Sequence, residues 1–164
     1  VIADPEGGGY YGRFKIDSYL QEVGMTVGEA LVSTMRFYAP VVLKILEKHW
    51  VDVTGLVHNM GGGLTKCLRV GRNINFVKDS VIEPDPIFKT VQKESKESWK
   101  SMFEIFNMGT GYEIIAKPQA QDEILGISEK FGLAAKVIGR CERSRGQNMV
   151  IINCSQGKFQ YQRG

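Results

Sequence analysis

The sequence predicts an α+β fold, a mixed sheet with helices packed on its faces. Three observations predict it. Apolar residues recur at helical spacing in some stretches and alternate with polar residues in others. The two kinds are interleaved without strict strand–helix–strand alternation. The final two strand candidates, residues 135–141 and 148–154, read as a hairpin joined by the turn-like Ser144-Arg145-Gly146.

The elements follow in order. Residues 1–24 show no clear period, and Gly7-Gly8-Gly9-Tyr10-Tyr11-Gly12 reads as a linker or mobile arm. Thr26 caps a short helix through Val32, with Glu29 at the capping-box offset. Pro40 suits the first turn of a second helix, where its missing N–H costs nothing. Tyr38, Val41, Val42, Ile45 and Leu46 form that helix's apolar stripe, with Lys44, Glu47 and Lys48 opposite. Val51 to Val57 alternates as a half-buried strand, and His58-Asn59-Met60 leads into Gly61-Gly62-Gly63 and a helix-like Leu64–Arg69 stretch. Ile74–Val77 is a strand candidate; Ile87, Phe88 and Val91 mark a helix after Pro84 and Pro86. Trp99, Met102, Phe103 and Phe106 repeat the i, i+3, i+4, i+7 spacing of a core-facing helix. Asn107-Met108-Gly109-Thr110-Gly111 breaks it and feeds a strand, Tyr112–Ala116. Pro118 opens a helix whose Ala120, Ile124, Ile127 and Phe131 share a face, ended by Gly132. From Ser155 the chain turns polar and reads as a frayed tail.

Composition narrows the function. With 43% hydrophobic and 24% charged residues, 164 residues make an ordinary globular domain. A net charge of +3 is too small to argue for nucleic acid, and no apolar run is long enough to span a bilayer. Three cysteines without CxxC spacing suit free thiols in a reducing cytoplasm, and two histidines make a histidine-based metal site unexpected.

The sharpest chemical feature is the strand–His58-Asn59-Met60-Gly61-Gly62-Gly63–helix sequence. Consecutive glycines let backbone N–H groups approach an anion, and Lys66 and Arg69 offer counter-charge. The bland alternative is a tight turn that needs positive φ. The Asn107–Gly111 bend lacks the ending of a nucleotide P-loop. Arg36 beside Tyr38 offers a guanidinium for a phosphate or carboxylate, or is simply a surface arginine. No paired carboxylates and no activated serine or cysteine stand out.

Together these stretches resemble one family. Gly24-Met25-Thr26-Val27-Gly28-Glu29-Ala30-Leu31, followed by Ser33, Arg36, Tyr38, Ala39 and Pro40, is similar to the "GxTxGEALLxPTRxYAP" stretch of the aminoimidazole ribonucleotide synthetases, also called phosphoribosylformylglycinamidine cyclo-ligases. His58 through Gly63 resembles the family's "H(I/L)TGGG", Pro86-Ile87-Phe88 with Val91-Gln92 its "PxIFxxLQ", and Phe106 through Tyr112 its "FNxGxGM". Val137-Ile138-Gly139 falls where the family has an "xxIG" strand. The likeness runs from about residue 22 to residue 153. Thr34, Met35, Met60 and Lys66-Cys67-Leu68 depart from the pattern.

The resemblance implies an ATP-driven ring closure in purine biosynthesis. The formyl oxygen of formylglycinamidine ribonucleotide is phosphorylated, an amidine nitrogen attacks the activated carbon, and phosphate leaves. It implies His58 and Asn107 as catalytic candidates, and Arg36, Tyr38, Gly61, Gly62, Gly63, Lys66, Arg69, Gly109 and Gly111 as substrate- or phosphate-binding candidates, with no metal ligands here. ATP and Mg²⁺ are expected, bound mainly by an N-terminal ATP-binding domain of a longer chain that forms a homodimer. Residues 1–22 would then be a linker or remnant of that domain, 23–155 the C-terminal domain and 156–164 the tail; the chain alone would be inactive. The expected partner is a phosphorylated small molecule, with no nucleic acid and no membrane. Alternatives are another member of the same superfamily, formylglycinamidine synthetase or selenophosphate synthetase, or a nucleotide-binding domain without catalysis.

Overall fold

The computed structural model describes residues 13–33 and 36–162, so the Gly7–Gly12 stretch and the departures at Thr34 and Met35 lie outside the described residues. A two-residue ribbon, β1 (Tyr19–Leu20) with β2 (Met25–Thr26), leads into α1 (Val27–Val32). Thr26 caps α1 by accepting from the Glu29 N–H, and the Glu29 carboxylate accepts in return from the Thr26 N–H at 2.8 Å, the expected capping box. Next is α2 (Ala39–His49), with Pro40 in its first turn and Val41, Val42 and Ile45 buried as its stripe requires.

Strand β3 (Val53–His58) then runs antiparallel to β5 (Tyr112–Ala116), with β4 (Ile74–Lys78), α3 (Pro86–Ser95) and α4 (Trp99–Ile105) between them in the chain. A bulge between Val53 and Gly55 shifts the β3–β5 register. The ribbon separates two cores. On one side Val53, Tyr112, Ile114 and Ala116 pack with α2 and with Ile124 and Ile127 of α5 (Gln121–Lys130). On the other, Val57 and Ile115 join Met102 and Phe103 of α4, Leu64, Cys67 and Leu68 of the 3₁₀ helix Gly63–Arg69, and the inner face of a four-stranded sheet.

That sheet corrects the expected hairpin. β6 (Arg140–Arg143) and β7 (Met149–Cys154) are not neighbours; β4 lies between them, antiparallel to β6 and parallel to β7. The tail expected to fray is β8 (Gly157–Gln162), antiparallel to β7, because Phe159 and Tyr161 alternate with polar residues and turn onto the core. The strand expected from residue 135 begins only at Arg140. At Gly139 a Cβ would collide with the Val77 carbonyl oxygen, so the chain closes on β4 over a glycine. Phe131, expected on the buried face of α5, is exposed. Among the described residues no helix is long and apolar enough to cross a membrane.

Burial pushes the Cys67 thiol up to about 11 and also raises that of Cys141, but Cys67 is buried whereas Cys141 is exposed. Because the thiolate is the nucleophile, alkylation of the native protein at pH 7.5 is expected to label Cys141 and spare Cys67. Peptide mass mapping checks it.

Candidate functional site

Pairing of β3 with β5 places His58 opposite Tyr112, so the loops that leave the two strands, residues 59–63 and 107–111, lie side by side. The Asn59 N–H donates to the Gly111 carbonyl at 3.0 Å, and the Asn59 side-chain amide donates to the Thr110 carbonyl at 2.8 Å. Two of the expected motifs are therefore one structural unit.

His58, Tyr112 and Tyr38, the residue before α2, form an aromatic cluster. The His58 ring stacks on Tyr112 at 5.7 Å and meets Tyr38 edge-on at 5.9 Å. His58 Nε2 is buried without a hydrogen-bond partner among the described residues. Burial raises the pKa of both tyrosines, and the charge of Arg36 acts in the opposite direction on Tyr38. Arg36 is exposed. The Tyr38 hydroxyl rests where a side chain on Gly111 would have to go, so any larger residue there must displace the Tyr38 ring.

The three glycines divide. Gly61 and Gly62, at φ +64° and +134°, donate no hydrogen bond among the described residues, so their N–H groups remain available to an anion. Gly63, at φ +50°, is buried under the end of α4. A Cβ there would lie 2.5 Å from the Phe103 carbonyl oxygen, 2.6 Å from that of Phe106 and 2.9 Å from that of Glu104. The helix-like stretch is a seven-residue 3₁₀ segment that opens against those carbonyls, so the expected positive helix end is offset at its first residue. Lys66 folds back and donates to the Met60 carbonyl, lying over the loop, whereas Arg69 is exposed one 3₁₀ turn further on.

Asn107 holds its own turn. Its Oδ1 accepts from the Gly109 N–H at 3.0 Å and its carbonyl from the Thr110 N–H at 2.8 Å, which fixes Met108 at φ +51° and Gly109 at φ +92°. The carboxamide thus positions the loop.

Behind the loops is a buried polar network that the residue pattern alone did not single out. Lys78 Nζ donates to both oxygens of Glu113, at 2.7 and 2.8 Å, and to the Leu64 carbonyl at 2.7 Å. Glu113 Oε1 also accepts from the Asn59 amide at 2.7 Å. Asn59 stands where the quoted motif has isoleucine or leucine, which was the available signal. A concavity of about 580 Å³ lined by Asn73, Arg143, Ser144 and Arg145 contains none of these residues.

Comparisons with known proteins identify the family. The family described as AIR synthase related protein, C-terminal domain, matches residues 41–152. A phosphoribosylformylglycinamidine cyclo-ligase of Methanocaldococcus jannaschii is 34% identical over 117 residues, covering 71% of this chain and 33% of that protein. One of Alkaliphilus metalliredigens is 30% identical over 144 residues, 85% of this chain and 40% of the relative. One of Carboxydothermus hydrogenoformans is 33% identical over 145 residues, covering 87% and 41%. The chain thus spans between a third and about two fifths of the length of these curated relatives. The match over residues 41–152 leads to one statement: the chain belongs to the AIR synthase related protein family and carries its C-terminal domain.

Proposed function

We propose that this chain is the C-terminal part of an ATP-dependent cyclo-ligase that closes the imidazole ring of formylglycinamidine ribonucleotide in purine biosynthesis. The observation that carries the reading is the juxtaposition of the two glycine loops beside His58 and Tyr38, in a domain whose relatives are named for that reaction. The free N–H groups of Gly61 and Gly62, with Lys66 over the loop and Arg36 beside Tyr38, bind the phosphorylated substrate. The unpartnered His58 Nε2 hydrogen-bonds the formyl oxygen as charge develops there. Asn107 acts by holding Gly109.

Among the described residues no three histidine, cysteine, aspartate or glutamate side chains converge. The reading assigns ATP and Mg²⁺ to an N-terminal domain of a cytoplasmic homodimer. Chain 1–164 alone then gives no product.

Full-length protein supplied with ATP and formylglycinamidine ribonucleotide is expected to form the aminoimidazole product. His58→Ala should lower kcat by about 10²–10⁴ at nearly unchanged Tm, and Arg36→Ala should mainly raise KM. Failure of the full-length protein to form product overturns the reading, as would variants that melt early yet keep full specific activity.

A further inference from the structure

Resting on that reading, we infer that Asp85 recognises the amidine of the substrate and makes the site selective for it over the corresponding amide. Asp85 immediately precedes α3, where a carboxylate normally accepts an N–H from the first helical turn. Here it makes no such bond. Only its backbone carbonyl is used, accepting from the Phe88 N–H at 2.9 Å. The carboxylate lies instead against the glycine loop, with Oδ2 3.3 Å and Oδ1 3.7 Å from the point a Cβ on Gly109 would occupy.

Nothing among the described residues neutralises that charge. Lys89, one turn along α3, is taken by Glu83 at 2.9 Å. Asp85 is exposed, so its carboxylate is open to a ligand at the rim of the loop. Thr110 lies between the two glycines. It is only 4% exposed, and its hydroxyl oxygen has no hydrogen-bond partner among the described residues.

The loop therefore has two chemically different flanks. Gly111 abuts Tyr38 and the positive field of Arg36, whereas Gly109 abuts the carboxylate of Asp85. A ligand that satisfies both carries an anionic group and a planar cation with two N–H donors. Formylglycinamidine ribonucleotide is such a molecule, with a phosphate and an amidinium. An amidinium offers a carboxylate two parallel N–H bonds, as a guanidinium does. The amide counterpart, formylglycinamide ribonucleotide, replaces one of those nitrogens by a carbonyl oxygen, which meets the carboxylate with like partial charge.

The test is calorimetric titration of the full-length protein with each nucleotide in turn. The unaltered protein is expected to bind the amidine at least ~10-fold more tightly than the amide. Asp85→Asn, which keeps the shape, should bring the two within about twofold by weakening the amidine alone, while Arg36→Ala should weaken both alike. Equal affinities in the unaltered protein, or a preference that survives Asp85→Asn, overturn the inference and leave the proposed reaction standing. If neither nucleotide binds, the proposed reaction falls, and this inference with it.

Discussion

Replacing Gly63 by alanine is expected to destabilise the domain by about 2–5 kcal/mol, a large part of a typical folding free energy. Two costs combine. The residue sits at φ +50°, where an L side chain costs about 1–2 kcal/mol. The new methyl would also meet three backbone carbonyl oxygens at the end of α4, none further than 2.9 Å. Backbone cannot swing aside as a side-chain tip can, so α4 and the 3₁₀ helix must part, which adds about 1–3 kcal/mol or more of overpacking. Gly61→Ala is the control. It shares the positive φ but has nothing within 4 Å, so only the first cost of about 1–2 kcal/mol applies. Urea denaturation of both variants checks this: equal midpoints would show that Gly63 serves conformation alone and that the packing argument is wrong.

Lys78→Met is expected to cost about 3–5 kcal/mol, because it leaves the Glu113 carboxylate buried and uncompensated. Lys78 and Glu113 are 3% and 8% exposed, so water cannot replace the lost partner. The Leu64 carbonyl loses its donor as well. The double change Lys78→Met with Glu113→Leu removes both charges and is expected to recover most of the loss, since a buried pair often does no better than well-packed apolar residues. Asn59 would keep its bond to the Thr110 carbonyl. Thermal unfolding of the two single variants and the double variant closes the cycle. Additive losses would mean that the pair is not coupled.

Local elements were legible because their causes are local. The α1 capping box needs only Thr26 and Glu29, and the buried side of α2 follows from the spacing of Val41, Val42 and Ile45. Neighbour relations were not. Alternation marks 148–154 as a strand without saying that β4 lies beside it rather than β6. The polar look of Lys158, Gln160 and Gln162 hid a strand that turns only Phe159 and Tyr161 inward. The site divides the same way. Two glycine motifs could be recognised one by one, and pairing of β3 with β5 puts them together. The Lys78–Glu113–Asn59 network draws on three separate segments. Glu113 within Tyr-Glu-Ile-Ile-Ala reads as the wet side of a strand until both faces of that strand prove covered.

The placement of β4 has a consequence for how the chain acquires its fold. Phe76 sits opposite Cys141 on one side and Val150 on the other, so this strand waits for partners from the far end of the sequence. Everything from α3 through α5 must be made, and looped out, before the sheet can close around it. Closing so long a loop carries an entropic penalty and slows folding relative to local contacts. On the ribosome, β4 emerges with both edges bare, and they remain so until β6 and β7 have been added. A chain released before Met149 would lack Val150, Ile152 and Tyr161, three buried members of the larger core. It would expose the unpaired strand edges on which aggregation begins.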